Sequence, residues 1–489
     1  MCSVLIENQD KGNGRRDQMA TNIWEMSATQ AHELLRRKKI SATEILDSCI
    51  KRIEDVDGYL NALPERCFAR AKKLANRIDE NSSPKSPVDL LGLPIAVKDY
   101  NDLSDVRTTY GSTIFRDNIP TKSDRTIQVL ENNGANPVAK SNVPEWAGGH
   151  TFNPVNGLTR NPWDSSKSAG GSSGGSASAL ASGQVFLATG NDLGGSLRTP
   201  AGFNGIVGLR PSPGLVPRGQ RYMPFDTLWV EGPMARTVED LALMLDSMVG
   251  HNIGDPLSFP NSQEFFVKSL KKDFAPLSVA VSEDLNIVPV DLEVRDGFRA
   301  AVKTISNYSW DVCSDIPDFS GVLDAFKTLR GVLMASMLGD LVTEYKEAIL
   351  EDIQKNVQVG FDANGMKIIE AEKIRRSLII NMESFFKKHN FLICPSASVL
   401  PFSVDQPFVS EIEGQKCETY IDWFSITFAI TMTACPTLSI PCGISKSGLP
   451  IGIQVVAPPR HEAELLNFGT KLQEIFGVSK LLPIAPRSF

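Results

Sequence analysis

Residues 170–198 read GGSSGGSASALASGQVFLATGNDLGGSLR. The run opens on a glycine-rich turn, Gly170 to Ser176, and continues through the small residues Ala177 to Gly183. An apolar stretch from Val185 to Thr189 follows, and a second glycine-rich turn runs from Gly190 to Arg198. The order is loop, helix, strand, loop. Two glycine-flanked serines, Ser172 and Ser196, stand at its ends. Glycine lets a backbone turn sharply and approach a ligand closely, so N–H groups beside each serine can point inward. A nucleophile and an oxyanion hole are assembled together in this way. What the run lacks is a base.

Working outward, GLPIAVKD (Gly92 to Asp99) holds three apolar residues, Ile95, Ala96 and Val97. They are too few for a helix and read as a buried strand ending at Lys98. A helix over Thr126 to Asn133 stops at Gly134 and leads to a short strand at Pro137 to Ala139. Strands return at Phe391 to Ser396, Thr437 to Ile440 and Ile451 to Val456. The alternation predicts an α/β fold, a large mixed but mostly parallel twisted sheet sandwiched between helices. Before it come two capping boxes, Ser27 with Gln30 and Ser41 with Glu44, each opening an amphipathic helix. A third helix is expected over Cys67 to Arg77, then a polar loop from Asp79 to Pro87. The region 252–390 reads as a helical cap or flanking layer, with Leu323 to Leu341 and Met366 to Lys388 as its longest helices. A last helix is expected over Glu462 to Ile475. Residues 1–22 are polar and read as disordered, and 23–489 read as one domain.

Lys and Arg number 50 against 57 Asp and Glu, a net charge of −7. That balance offers little to nucleic acid or to an anionic membrane. The basic clusters Arg36 to Lys39 and Lys271–Lys272 read as solvated faces. Eight cysteines without a C-x-x-C pair indicate reduced thiols, and the start lacks a secretory pattern, so a cytoplasmic protein is expected. No charge falls between Asp422 and Lys446, but Ser, Thr, Pro436 and Pro441 make this stretch a buried wall rather than a membrane span. No His, Cys and Asp set has metal-ligand spacing, and neither a metal nor another cofactor is expected.

A serine nucleophile commonly takes histidine as its base. Of His32, His150, His251, His389 and His461, only His150 falls near the glycine-rich run. Gly171 to Gly175 also fits G-x-S-x-G, which would make Ser173 the nucleophile, but that motif needs a strand directly before it and Trp163 to Ala169 is polar and turn-like. Lysine is the other candidate. Burial at the end of a strand would lower the pKa of Lys98, and a neutral Lys98 can accept a proton relayed through Ser172 from Ser196. A phosphate cradle is the remaining alternative, yet no G-x-x-x-x-G-K-[ST] string occurs.

GLPIAVKD, AGGSSGGS and DLGGSLRTPA together resemble the amidase signature family, as do TRNPWD (Thr159 to Asp164), FNGIVGLRPSPG (Phe203 to Gly214) and GLPIGIQ (Gly448 to Gln454). The likeness is dense from Gly92 to Gly219, thin through the cap, and returns from Phe391. It implies a Ser–cisSer–Lys triad of Ser196, Ser172 and Lys98, with a cis peptide before Ser172. Ser196 would attack a carboxamide and form an acyl-enzyme, and N–H groups of Leu193, Gly194, Gly195 and Ser196 would hold the oxyanion. Ser173, Asp192 and Arg198 match positions that support the triad by hydrogen bonds, and Gly148 and Gly149 match a loop lining the acyl pocket. The implied activity is hydrolysis of a small-molecule amide to an acid and ammonia or an amine. Glutaminase subunits of tRNA-dependent amidotransferases share the signature and form the alternative. A homodimer is common in the family. Two residues depart from its pattern: Asn191 stands where Ser or Thr is common, and Ala169 where proline often is. The pocket would be built from the cap and the wall from Trp423 to Met432, with Phe424, Ile426, Phe428, Ile430 and Met432 either lining it or serving as core.

Overall fold

An 11-stranded sheet carries the molecule. Its strands are β1 (Glu65–Arg66), β2 (Pro94–Lys98), β3 (Asn136–Ser141), β4 (Leu187–Asp192), β5 (Val207–Arg210), β6 (Val230–Ala235), β7 (Ser278–Val281), β8 (Asp311–Ser314), β9 (Phe391–Pro395), β10 (Thr437–Ile444) and β11 (Pro450–Val456). Their spatial order is β1-β3-β2-β4-β6-β5-β10-β11-β9-β7-β8. The computed structural model describes residues 22–81, 86, 88–219, 222–260, 265–270 and 277–488. Residues 1–21, the greater part of the expected disordered segment, lie outside that set, as do Lys271, Lys272 and most of the loop expected between Asp79 and Pro87.

The sheet is mixed, as expected, but parallel pairing is confined to its two ends, β3–β2–β4 and β9–β7–β8. From β4 through β6, β5, β10 and β11 to β9 every neighbour is antiparallel, and β1 pairs antiparallel with β3. The expectation of a mostly parallel sheet is corrected here. Parallel neighbours need a crossover of about a dozen residues. The short turn 445–449 between β10 and β11 leaves no room for one, and β6 folds back between β4 and β5.

The capping boxes form as read: Ser27 and Ser41 each accept from the backbone of the residue three positions on, and Gln30 and Glu44 answer. The second helix, Ala42–Leu60, buries Ile45, Leu46, Cys49 and Ile53. The region read as a helical cap does carry the long helices Val322–Glu344, Glu351–Phe361 and Gly365–Phe386, packed around their own apolar cluster that includes Phe326, Met334, Ile353 and Leu378. It also supplies β7 and β8 to the main sheet. β8 reads DVCS, short, polar and at the edge, so no apolar pattern betrays it.

The charge-free wall is buried. Its helix Ser425–Thr431 and most of β10 are inaccessible, and among the described residues no helix is long and apolar enough to cross a membrane. The helix Arg198–Asn204, directly after Ser196, packs on β11 through facing glycines. A Cβ at Gly452 would lie 2.7 Å from the Cα of Gly202 and 2.4 Å from Ser396 Oγ. Gly452→Val is therefore expected to destabilise the fold by about 1–3 kcal/mol, read as a lowered Tm. An unchanged Tm would show that this helix is not pinned by that contact.

Candidate active site

β2 is buried along its whole length, and its last residue, Lys98, is 0 % exposed. The Lys98 backbone N–H donates to Thr189 Oγ1 at 2.9 Å, which fixes the strand end against β4. Its Nζ lies 2.7 Å from Ser172 Oγ and 2.6 Å from Asn191 Oδ1, with the Asn191 carbonyl at 3.5 Å. Burial pulls the Lys98 pKa down to about 7, against the opposing pull of the Glu231 and Asp192 carboxylates. Glu231, which no motif in the sequence marks, is held beneath by Trp229 Nε1 at 3.0 Å and Asn101 Nδ2 at 3.3 Å.

Ser172 is buried, and the Gly171–Ser172 peptide is cis. The second turn is organised by Asp192, the last residue of β4. Arg198 reaches both its carboxylate oxygens at 3.0 Å, and Arg210 approaches Oδ1 at 3.3 Å while donating to the Asp192 carbonyl at 2.7 Å. All three side chains are fully buried. Burial acts to raise the Asp192 carboxyl, and the two guanidiniums with the Leu197 amide overcome it, holding it at about 2. The same carboxylate takes the N–H of Gly195 at 2.9 Å, with Gly195 at φ 133°, where a side chain would be strained. Gly195 is thus withdrawn from the expected set of oxyanion donors. The N–H groups of Leu193, Gly194 and Ser196 have no acceptor among the described residues.

Ser196 is partly exposed and opens on a small cavity of about 20 Å³, walled by Tyr100, Trp146, Trp229, Met334, Met337 and Leu338. Asn191 lines it as well. A much larger depression of about 560 Å³, between residues 35–44 and 74–81, shares no residue with this cavity. The cap contributes to the wall as expected, through the two methionines and Leu338. Ile426, Phe428, Ile430 and Met432 are instead wholly buried core. Trp146, Trp229 and Tyr100 were not foreseen, because isolated aromatics on loops and strand ends carry no periodic signal.

Other expected residues fall differently. Gly148 packs against Ile353 of the cap and Gly149 faces Tyr420. The loop reaches the cavity through Trp146 and Ala147, both held at positive φ. Ser173 is buried, and its Oγ has no hydrogen-bond partner among the described residues. A strand does precede it, Asp164–Ser168, contrary to the turn expected there. That strand pairs with Arg160–Asn161 in a separate ribbon and forms an isolated bridge through Lys167 to Ser403, outside the main sheet. His150 is buried against Phe402, and burial lowers its pKa to about 4. Among the described residues its Nδ1 has no partner, and neither serine is bonded to the ring. His32, His389 and His461 bond elsewhere, to the Asp89 carbonyl, Ser278 with Asp315, and the Pro459 carbonyl. Among the described residues no group of three or more His, Cys, Asp or Glu is placed to hold a metal ion.

The architecture is an α/β one built on a large mixed sheet. It matches a bacterial aryl acylamidase of the amidase signature enzymes with a TM-score of 0.86 at 24% identity, covering 94% of this chain and 99% of that one. An amidase structure matches at 0.82 and 25% identity over 92% of this chain and all of that one. Residues 44–466 match the Amidase family model, and the chain belongs to that family. Among curated relatives, a glutamyl-tRNA(Gln) amidotransferase subunit from Picosynechococcus sp. is 31% identical over 480 residues, 90% of this chain and 96% of the relative. The corresponding subunit from Alkaliphilus metalliredigens is 29% identical over 495 residues, 94% and 98% of the two chains.

The Asp192 pair sets an acid limit. Its carboxyl titrates near 4 when unfolded and about 2 when folded, so its stabilisation is full above pH 4 and is lost as pH falls toward 2. Asp192→Asn, which strands two buried guanidiniums, should lose about 3–5 kcal/mol at pH 7 in urea unfolding. Its further loss on acidification to pH 2 should be smaller than the wild type's. Equal stability of the two proteins at pH 7 would contradict this assignment.

Proposed function

We propose that this protein is a stand-alone amidase that hydrolyses uncharged carboxamides through a seryl acyl-enzyme on Ser196. The observation that carries the reading is the 2.7 Å bond between Lys98 Nζ and Ser172 Oγ, two buried groups with the amine poised near neutrality. In this reading Ser196 Oγ attacks the carbonyl carbon as its proton passes to Ser172 Oγ, and the Ser172 proton passes to the Nζ lone pair. The N–H groups of Leu193, Gly194 and Ser196 face the charge developing on oxygen, each such donor contributing about 3–4 kcal/mol. Collapse returns the proton from Lys98 through Ser172 to the leaving nitrogen. Water then repeats the sequence in the opposite sense and releases the acid.

The curated relatives favour a second reading, a glutaminase subunit of an amidotransferase. The cavity weighs against it. Its lining carries no charged side chain, whereas glutamine presents an ammonium and a carboxylate that need buried partners. Asn191 Nδ2 and Trp146 Nε1, on two lining residues, are buried donors without acceptors among the described residues. They suit a neutral substrate with carbonyl or ether oxygens. Every cysteine among the described residues is a free thiol, which suits a reducing, cytoplasmic setting.

Ser196→Ala and Lys98→Ala should each lower amide turnover by at least about 10³-fold while the far-UV circular dichroism stays unchanged. Because Lys98 acts without its proton, kcat/KM should rise with pH through about 7 and level off above it. A rate flat down to pH 5 would exclude a lysine base. On a panel of aryl and alkyl amides beside glutamine, the purified chain alone should turn over the neutral amides. Activity confined to glutamine and dependent on added partner subunits would establish the second reading.

A further inference from the structure

Lys98 Nζ has three polar neighbours: Ser172 Oγ at 2.7 Å, Asn191 Oδ1 at 2.6 Å and the Asn191 carbonyl oxygen at 3.5 Å. An ammonium has three N–H groups to give, and a neutral amine has two N–H groups and one lone pair. The two oxygens of Asn191 are acceptors alone, so each must keep an N–H. The hydroxyl of Ser172 is the one neighbour that can reverse its bond and donate. When the ammonium loses one proton, the lone pair must therefore appear on the side of Ser172. Turning the carboxamide over would set Nδ2 against Nζ and make it compete with Ser172 for that lone pair.

We propose that Asn191 is the positioning residue of this site: its side-chain oxygen holds one Lys98 N–H and so aims the amine's lone pair at Ser172. The proposal rests on the Ser196–Ser172–Lys98 reading above. Several observations converge on it. Asn191 is 3 % exposed, its Nδ2 bonds to no protein atom among the described residues, and its Oδ1 bonds to Lys98 alone. Its backbone is fixed by the pairing of β4 with Glu231 on β6. A serine or threonine in its place would offer a hydroxyl that can accept the same N–H but can also donate. An asparagine oxygen cannot donate. The charged groups acting on the amine are Glu231 on β6 and Asp192 on β4, and the Tyr100 ring lies 5.2 Å from Nζ.

Three variants of the full chain separate orientation from simple packing, assayed on a neutral aryl amide across pH 5 to 10. Asn191→Leu keeps the volume and removes the acceptor, and kcat should fall by about 10- to 100-fold with KM within about threefold. Asn191→Asp keeps the acceptor and adds a charge beside Nζ, so the acid limb should move up by about one pH unit or more, with activity recovering on the alkaline side. Asn191→Thr, with a hydroxyl able to accept, should restore more activity than the leucine variant and leave the limb within about half a unit of wild type. A leucine variant within about twofold of wild type, or an aspartate variant whose acid limb does not move, overturns the proposal. Lys98→Ala serves as the control. If it stays active, the lysine reading itself has failed, and if it is dead while the Asn191 variants behave as wild type, this inference alone has failed. Should the leucine variant not fold, the aspartate and threonine variants still decide the matter through the pH profile.

Discussion

An amine with no access to water is the constraint on which the rest is built. Holding Lys98 at 0 % exposure displaces its titration from about 10.5 to about 7, roughly 5 kcal/mol against the charged form. Such a group persists because the surroundings over-determine it. β2 is buried on both faces, its end is tied to β4 through Thr189, and three oxygens surround the nitrogen. Glu231 and Asp192 keep the amine from falling further. The result is an amine half-protonated near neutral pH, which the proposed mechanism uses as its base in place of a histidine.

A second buried charge shapes the turn that carries Ser196. Asp192 lies between Arg198 and Arg210, and its oxygens also take the N–H groups of Gly195 and Leu197. The carboxylate thus gathers the turn around itself, and the N–H groups of Leu193, Gly194 and Ser196 are left without acceptors among the described residues. Buried ion pairs contribute little net stability beside apolar packing, but removing one partner is severe. This network is better understood as a device for fixing one backbone conformation than as a source of stability.

The cavity couples the two halves of the chain. Trp146 sits on a loop at positive φ and stacks on Tyr110. Glu145 beside it accepts the N–H of Leu350 from the cap at 2.8 Å. Met334, Met337 and Leu338 close the opposite side from the long cap helix. The free space is about 20 Å³, roughly one water. Methionine, unbranched and adaptable, suits a wall that can repack.

Much of this was legible in the chain itself. The short apolar run before Lys98, the two glycine-rich turns and the capping boxes are local signals, because turn chemistry and strand ends are written in adjacent residues. They sufficed for the α/β class and for singling out Lys98, Ser172 and Ser196, while Asp192 was marked only by the likeness to the amidase signature family. The antiparallel middle of the sheet, the edge strand DVCS inside the cap, the loss of the Gly195 amide to Asp192 and the burial of Glu231 beneath the lysine were not readable. Each depends on residues far apart in sequence meeting in space, and pairing direction, burial and hydrogen-bond allegiance are properties of that meeting. Asn191 marks the boundary: the sequence showed an unusual residue beside Asp192, and the folded chain put its oxygen on the lysine.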